Sequence, residues 1–396
     1  MHELLARLGE PQQAFKSILV GGTNGKGSTS STLASVLSTA GYKTGLFTSP
    51  HLSYFSERFM IDGKRPDEAR LEAMITQIKP HAEATDALFF EISTVLACQY
   101  FAEQGVEYAV MEVGIGGRFD STNSLDPVLS IISNVALDHT EVLGGTVEKI
   151  AFEKAGIMRQ GKPVLSAARA GAAKVLQEQA QEKGAKLWLL DREIYSALLT
   201  MSWQGVALQV DSPLGSVRVQ SPLVGRFQAD NVALAVVAAQ LLGVSEAAIQ
   251  KGVAKTRWPG RLERIDYQNR QFIIDGAHNP DAARVLRQTL EDLAVRDIIL
   301  IFGANKDKDL EATLIPLAEL ATRVIFTQAS LIPKATPPEL LKELWPEAAL
   351  ASTPAEAIRI ALELPSDATI VIAGSLYLAG EVRPLLLGES PEAFRK

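Results

Sequence analysis

Polar and apolar residues alternate along this chain in blocks rather than singly. Short continuous apolar runs are followed by stretches with helical spacing, and this order repeats through most of the sequence. The pattern predicts strands at 18–22, 43–48, 108–113, 128–135 and 163–167, and helices at 28–40, 67–78, 90–103, 147–157 and 172–182. Continuous apolar strands separated by helices read as a parallel sheet covered on both faces. Residues 195–220 break the pattern. Segments 198–203, 206–210 and 216–219 alternate at period two, with Gly205 and Gly215 at the turns, which predicts antiparallel hairpins. A helix at 228–242 follows.

The helical pattern stops at Lys255-Thr256-Arg257-Trp258-Pro259-Gly260-Arg261, where proline and glycine interrupt it. A second α/β series comes next, with strands at 272–275, 298–302, 324–327 and 369–373. The boundary divides the chain into an N-terminal domain over 1–257 and a C-terminal one over 258–396. The length of 396 residues suits two or three domains rather than one core.

Composition adds mainly exclusions. The 47% hydrophobic and 21% charged content is that of a soluble globular protein. No apolar run is long enough to span a bilayer, and the first residues lack a basic region followed by an apolar one. The expectation is a cytoplasmic monomer with neither membrane nor nucleic-acid partners. A net charge of −7 offers nucleic acid no general field, so an anionic substrate needs a local basic site. The single cysteine, Cys98, excludes an intrachain disulfide, and its apolar surroundings read as a buried, inert thiol.

The local basic site is legible. Gly21-Gly22-Thr23-Asn24-Gly25-Lys26-Gly27-Ser28 joins an apolar strand to a helix. Glycines let backbone N–H groups approach phosphate oxygens, the helix N-terminus attracts negative charge, and Lys26 adds a cation. The spacing departs from the general phosphate loop because Gly27 separates the lysine from Ser28. With this loop, the fold class reads as α/β. The N-terminal domain is P-loop ATPase-like, with a mostly parallel sheet and a small antiparallel hairpin region. The C-terminal domain is Rossmann-like.

Other strand ends carry chemistry on the same edge, where open α/β sheets bind ligands. Glu112 ends one strand, ahead of Gly114-Ile115-Gly116-Gly117-Arg118-Phe119-Asp120-Ser121. Asp138-His139 follows another, and Ser49-Pro50-His51 a third. A carboxylate at such an end can hold Mg²⁺ or position a water. Lys154, on a helix between apolar residues, reads by pattern as an ordinary surface lysine. Asp275-Gly276-Ala277-His278-Asn279-Pro280, Asn305-Lys306-Asp307-Lys308-Asp309 and Gly374-Ser375-Leu376-Tyr377 repeat the arrangement downstream, the Lys/Asp run reading as a solvated turn.

Taken in order, these segments resemble the folylpolyglutamate synthase and dihydrofolate synthase family of the Mur ligase superfamily. The quoted motifs run from Gly22-Thr23-Asn24-Gly25-Lys26-Gly27-Ser28 through Glu153-Lys154-Ala155-Gly156-Ile157 and Pro259-Gly260-Arg261 to Gly374-Ser375-Leu376-Tyr377. The resemblance implies a ligase that joins L-glutamate to the carboxylate of a folate or dihydropteroate. ATP is its phosphoryl donor, ADP and phosphate its by-products, and an acyl phosphate its intermediate. It implies Mg²⁺ on Ser49, Glu112 and His139, and a monovalent cation. It implies ATP contacts at Thr23, Asn24, Gly25, Lys26, Gly27, Ser28, Asn231, Arg261 and Asp275, with Arg261 reaching phosphate when the domains close. His278 and Ser375 belong near that site. Lys26, His139 and Lys154 are the implied catalytic residues, Lys154 as an N6-carboxylysine or as a plain cation. The pterin side falls on Phe89, Phe90 and Glu91 with Phe119, Asp120 and Ser121. Rings can stack on a flat heterocycle, and acids can accept from its amino group. For Phe89 and Phe90, plain helix core is the rival reading. Two other functions fit the residues less fully: another Mur-type amino-acid ligase, and an NTPase switch without an acyl acceptor.

Overall fold

The computed structural model describes residues 1–330, 334–365 and 367–389. The chain divides into two compact units: Met1–Pro50 with Ser56–Trp258, and His51–Phe55 with Pro259–Lys396. The short segment His51–Phe55 therefore counts with the second unit, whereas the sequence pattern places it with the first.

Among the described residues, the first unit holds a seven-stranded sheet built from β1 (Lys16–Gly21), β2 (Thr44–Phe47), β3 (Phe59–Ile61), β4 (Tyr108–Glu112), β5 (Pro127–Ile132), β6 (Pro163–Ser166) and β7 (Lys186–Leu189). Their spatial order is β3-β2-β4-β1-β5-β6-β7. Every pairing is parallel except that of β3 with β2. β1 is central, and its register sets Val20 opposite Glu112 on one side and Ile131 on the other. The strand ends named above thus lie along one edge. A separate antiparallel sheet joins β8 (Tyr195–Ser202), β9 (Gly205–Ser212) and β10 (Gly215–Ser221).

One core ties these layers together. Ile18, Val20 and Ile131 of the large sheet share a single apolar cluster with Leu33 and Leu37 of the helix Lys26–Thr39. Leu208 and Val210 of β9 and the helix Gln228–Leu241 belong to the same cluster. Val232 to Ala239 are all fully buried. A helix apolar on every side needs cover on every side, and it finds that cover between the two sheets. Each fully buried valine or leucine stabilises the fold by about 1.5–3 kcal/mol.

The second unit carries a six-stranded sheet: β11 (Glu263–Tyr267), β12 (Arg270–Ile274), β13 (Ile298–Phe302), β14 (Ala321–Phe326), β15 (Ala349–Leu350) and β16 (Thr369–Ala373). The order is β11-β12-β16-β13-β14-β15, antiparallel only at β11–β12.

Some predicted bounds shift for identifiable reasons. The predicted strand 128–135 stops at Ile132 because Ser133 and Asn134 turn their side chains into the phosphate loop. The predicted helix 147–157 ends at Lys154 and tightens into a 3₁₀ turn, Ala155–Ile157. Asp275 lies just past β12 rather than within it. The predicted strands omit β3, β7, β11 and β15. These are short or at sheet edges, where few apolar residues are needed.

Candidate nucleotide and pterin site

The phosphate loop is shaped by glycines that admit no side chain. Gly22 and Gly25 have φ of 140° and 85°, and a Cβ on Gly25 would lie 2.1 Å from Asn231 Oδ1. Asn231 itself is buried and donates through Nδ2 to Gln228 Oε1 at 2.9 Å. The loop is held from the end of β5. The Asn24 amide donates to Asn134 Oδ1 at 2.6 Å, the Thr23 amide to Asn134 O at 2.8 Å, and Ser133 Oγ to Asn24 O at 2.7 Å. The sequence pattern absorbs Ser133 and Asn134 into a strand and so misses them. Their one signal is a polar pair interrupting an apolar run.

Two lysines meet beneath the loop. Lys26 Nζ donates to the carbonyls of Thr23 at 3.1 Å and Gly22 at 3.2 Å, and Lys154 Nζ donates to the same Gly22 carbonyl at 2.7 Å. Lys154 is only 3% exposed, which corrects its reading as a surface lysine. The helical pattern misleads there because Gly117 and Gly156 let the loop after β4 pack directly onto this turn. A Cβ on Gly156 would lie 2.3 Å from the Arg118 Cα. Burial, reinforced by the charge of Lys26, pulls the Lys154 ammonium down to about 7, while Asp138 and Asp120 act in the opposite direction.

The expected metal ligands sit along the same edge. Glu112, at the end of β4, is 5% exposed, and the Ser49 amide donates to its Oε2 at 3.4 Å. His139 adopts a left-handed conformation, φ 50° and ψ 40°, and its amide donates to Asp138 Oδ1 at 2.9 Å. Among the described residues, no three His, Cys, Asp or Glu side chains group as a metal cluster. The donors here are one carboxylate, one hydroxyl and one imidazole. The oxygen donors suit a hard cation such as Mg²⁺.

The expected pterin residues gather at a cavity of about 400 Å³, lined by Phe90, Glu91, Phe119, Asp120 and Ser121 with Leu88 and Arg118. Phe119 is 88% exposed and Phe89 61% exposed, so plain helix core is excluded for Phe89. Phe89 stands instead against the Arg58 guanidinium, 5.5 Å from its ring centre. Phe90 is half-buried, with its ring centre 5.9 Å from that of Phe47. Both acids make strong bonds within the protein. Glu91 accepts the Leu88 amide at 2.9 Å and pairs with the Met1 amino group at 2.9 Å, and chiefly the former holds its carboxyl below the usual value. Asp120 accepts the amides of Gly114, Ile115 and Thr122 and the Thr122 hydroxyl. Burial nevertheless raises its carboxyl above the ordinary range. Asp120 is thus the clamp that shapes the loop around the cavity.

The remaining candidates lie in the second unit. Asp275 is buried and accepts the Leu262 amide at 2.9 Å and the Ala277 amide at 2.8 Å. Burial raises its carboxyl, and the neighbouring Arg261 opposes that rise. His278 Nδ1 lies 2.8 Å from the Gly276 carbonyl, and Ser375 Oγ accepts the Tyr377 amide at 3.2 Å. Asp309 caps the helix Leu310–Ala318 through the Ala312 amide. Back in the first unit, Cys98 is fully buried, and burial pushes its thiol up to about 12, as an inert thiol requires.

Known proteins match this arrangement along nearly its whole length. Residues 20–239 match the Mur ligase middle domain, and residues 260–376 the Mur ligase glutamate ligase domain. The folylpolyglutamate synthase of Lacticaseibacillus casei is 36% identical over 97% of this chain and 93% of its own length. The dihydrofolate synthase/folylpolyglutamate synthase of Bacillus subtilis is 32% identical over 98% and 94%. A solved structure of Mycobacterium tuberculosis folylpolyglutamate synthase complexed with ADP superposes with a TM-score of 0.91 at 31% identity, covering 98% of this chain and 94% of that one. The chain belongs to the folylpolyglutamate synthase and dihydrofolate synthase family of the Mur ligases, and it is an ATP-dependent ligase.

Proposed function

We propose that this enzyme activates the carboxylate of a folate, or of dihydropteroate, by phosphoryl transfer from ATP and then joins it to the amine of L-glutamate. The observation that carries this reading is the convergence of Lys26 and Lys154 on the Gly22 carbonyl. The Lys26 ammonium and the protonated form of Lys154 repel each other across this one acceptor, and a bound phosphate relieves that repulsion. Phosphoryl transfer needs charge neutralisation and alignment more than covalent help. Lys26 and the amides of residues 24–28 supply both for the β- and γ-phosphates.

Asn231, set against Gly25, fixes the loop side of the nucleotide. Arg261 and Asp275, charged neighbours in the second unit, are the further ATP contacts of this reading. Ser49, Glu112 and His139 would hold Mg²⁺, which when bound neutralises charge on the transferred phosphoryl group. Lys154 has a second role open to it. A lysine drawn down to about 7 is largely neutral at mildly alkaline pH. Its neutral amine can attack the carbon of CO₂ and lose a proton, giving a carbamate whose oxygens suit a hard cation. The pterin ring lies against Phe90 and Phe119, with the loop held open by Asp120.

Product analysis tests the proposal. ATP, Mg²⁺ and L-glutamate are supplied with tetrahydrofolate or with dihydropteroate. One or both should gain a single glutamyl residue, with one phosphate released per amide formed. Phosphate release that continues unchanged without folate and glutamate would identify an NTPase switch instead.

A further inference from the structure

The phosphate loop departs from the general pattern at one residue. Gly27 stands directly after Lys26, where that pattern has a hydroxyl residue. Backbone conformation does not demand glycine there, since its φ lies outside the left-handed region. A neighbouring ring does. A Cβ at position 27 would lie 2.3 Å from Cζ2 of Trp258 and 2.7 Å from its Cε2. The indole edge rests on the first turn of the helix Lys26–Thr39.

This contact ends a longer strap. The helix Glu246–Ala254 approaches the same helix so closely that a Cβ on Gly252 would lie 2.4 Å from the Val36 Cα, and Ser35 Oγ donates to Gly252 O at 2.7 Å. Further on, Ser31 Oγ donates to Arg257 O at 2.8 Å. Then Trp258 meets Gly27. Contacts at positions 36, 31 and 27 follow one another down the helix to its phosphate-binding end. Trp258 is only half-buried, so filling the core is not its whole use.

We propose that Trp258 is a positioning residue for the phosphate loop. Its indole occupies the space of the missing side chain and braces the first helical turn through Gly27. It thereby ties phosphate binding to the segment that continues into Arg261. The inference rests on the nucleotide role proposed for the loop.

A double-mutant cycle with ADP as the probe tests it, using Gly27→Ser, Trp258→Ala and the two combined. Gly27→Ser should weaken ADP binding by at least about tenfold, equivalent to about 1.4 kcal/mol. Trp258→Ala should weaken ADP binding about tenfold, equivalent to about 1.4 kcal/mol, while the folate KM stays within about twofold. Trp258→Phe should recover most of that loss. In the Trp258→Ala background, Gly27→Ser should then cost no more than about threefold, because the obstructing ring is gone. Effects that multiply in the double variant overturn the proposal, as does parent-like ADP binding by Trp258→Ala. If Trp258→Ala does not fold, Trp258→Leu takes its place in the cycle with the same criteria. A parent chain that binds no ADP would overturn the nucleotide reading itself. Parent-like binding in every variant would overturn the role of Trp258 alone.

Discussion

The C-terminal edges of the two large sheets carry similar polar residues and use them differently. At the first, Lys26 and Lys154 crowd one carbonyl oxygen, with like charges held close and one of them buried. At the second, the polar side chains bond to nearby backbone. Asp275 holds the Leu262 and Ala277 amides, Asn279 caps through Ala282, Ser375 through Tyr377 and Asp309 through Ala312. Local caps stabilise loops and need no ligand. Crowded cations are stabilised by an anion. The difference teaches that a polar residue at a strand end marks a place where a ligand can bind, and that its bonding partners show whether it is already engaged in the fold.

The sharpest break in this comparison comes from Lys154. Lys154→Ala should reduce turnover by about 10³-fold, because charge stabilisation of the reacting phosphoryl group is lost. Acetate or formate should restore part of it if the carbamate is the working form. Density showing a bare amine beside bound nucleotide, together with no rescue, would leave Lys154 a simple cation.

On the other edge, the expected effect is on stability. Asp275→Ala leaves two buried amides without their acceptor and should lower stability by about 2–4 kcal/mol. Urea unfolding measures this, and a loss below about 0.5 kcal/mol would remove the distinction between the edges.

The order of elements, the phosphate loop and the set of strand-end residues are all legible in the sequence. Block patterning reports burial on both faces of a sheet, and glycine with lysine at a strand–helix junction reports backbone approach to an anion. Lys154 is not legible as a buried group, because helical spacing says nothing about a loop from elsewhere in the chain packing on its turn through Gly117 and Gly156. Asn134 and Trp258 escape notice for a related reason. Their importance lies in contacts with the loop more than a hundred residues away in sequence. Asp120 stands within the expected pterin segment, but the pattern cannot show that its carboxylate holds three backbone amides.

Titration sharpens the comparison further. The folded Lys154 ammonium lies at about 7 against an ordinary value of 10.5. Below about pH 7 both folded and unfolded chains carry the proton, and the burial penalty is present in full. It fades as pH rises through that window and is gone above 10.5. Parent stability should therefore rise from about pH 6.5 to about 9.5 relative to Lys154→Met in matched urea unfolding. Parallel curves would show that Lys154 carries no such penalty.

The smallest effect is expected at the cavity rim. Phe119→Ala should raise the folate KM about three- to tenfold through lost stacking, with the melting temperature unchanged because the ring is exposed. A fall in melting temperature with the KM intact would assign the ring to the fold instead.

ADP titration by calorimetry into the parent chain and Lys26→Ala tests the central claim most directly. The loop and its paired lysines should bind ADP in the parent and lose at least about tenfold in affinity in the variant, at an unchanged melting temperature. Equal ADP affinity in two equally folded proteins would contradict the assignment of this edge to nucleotide phosphate.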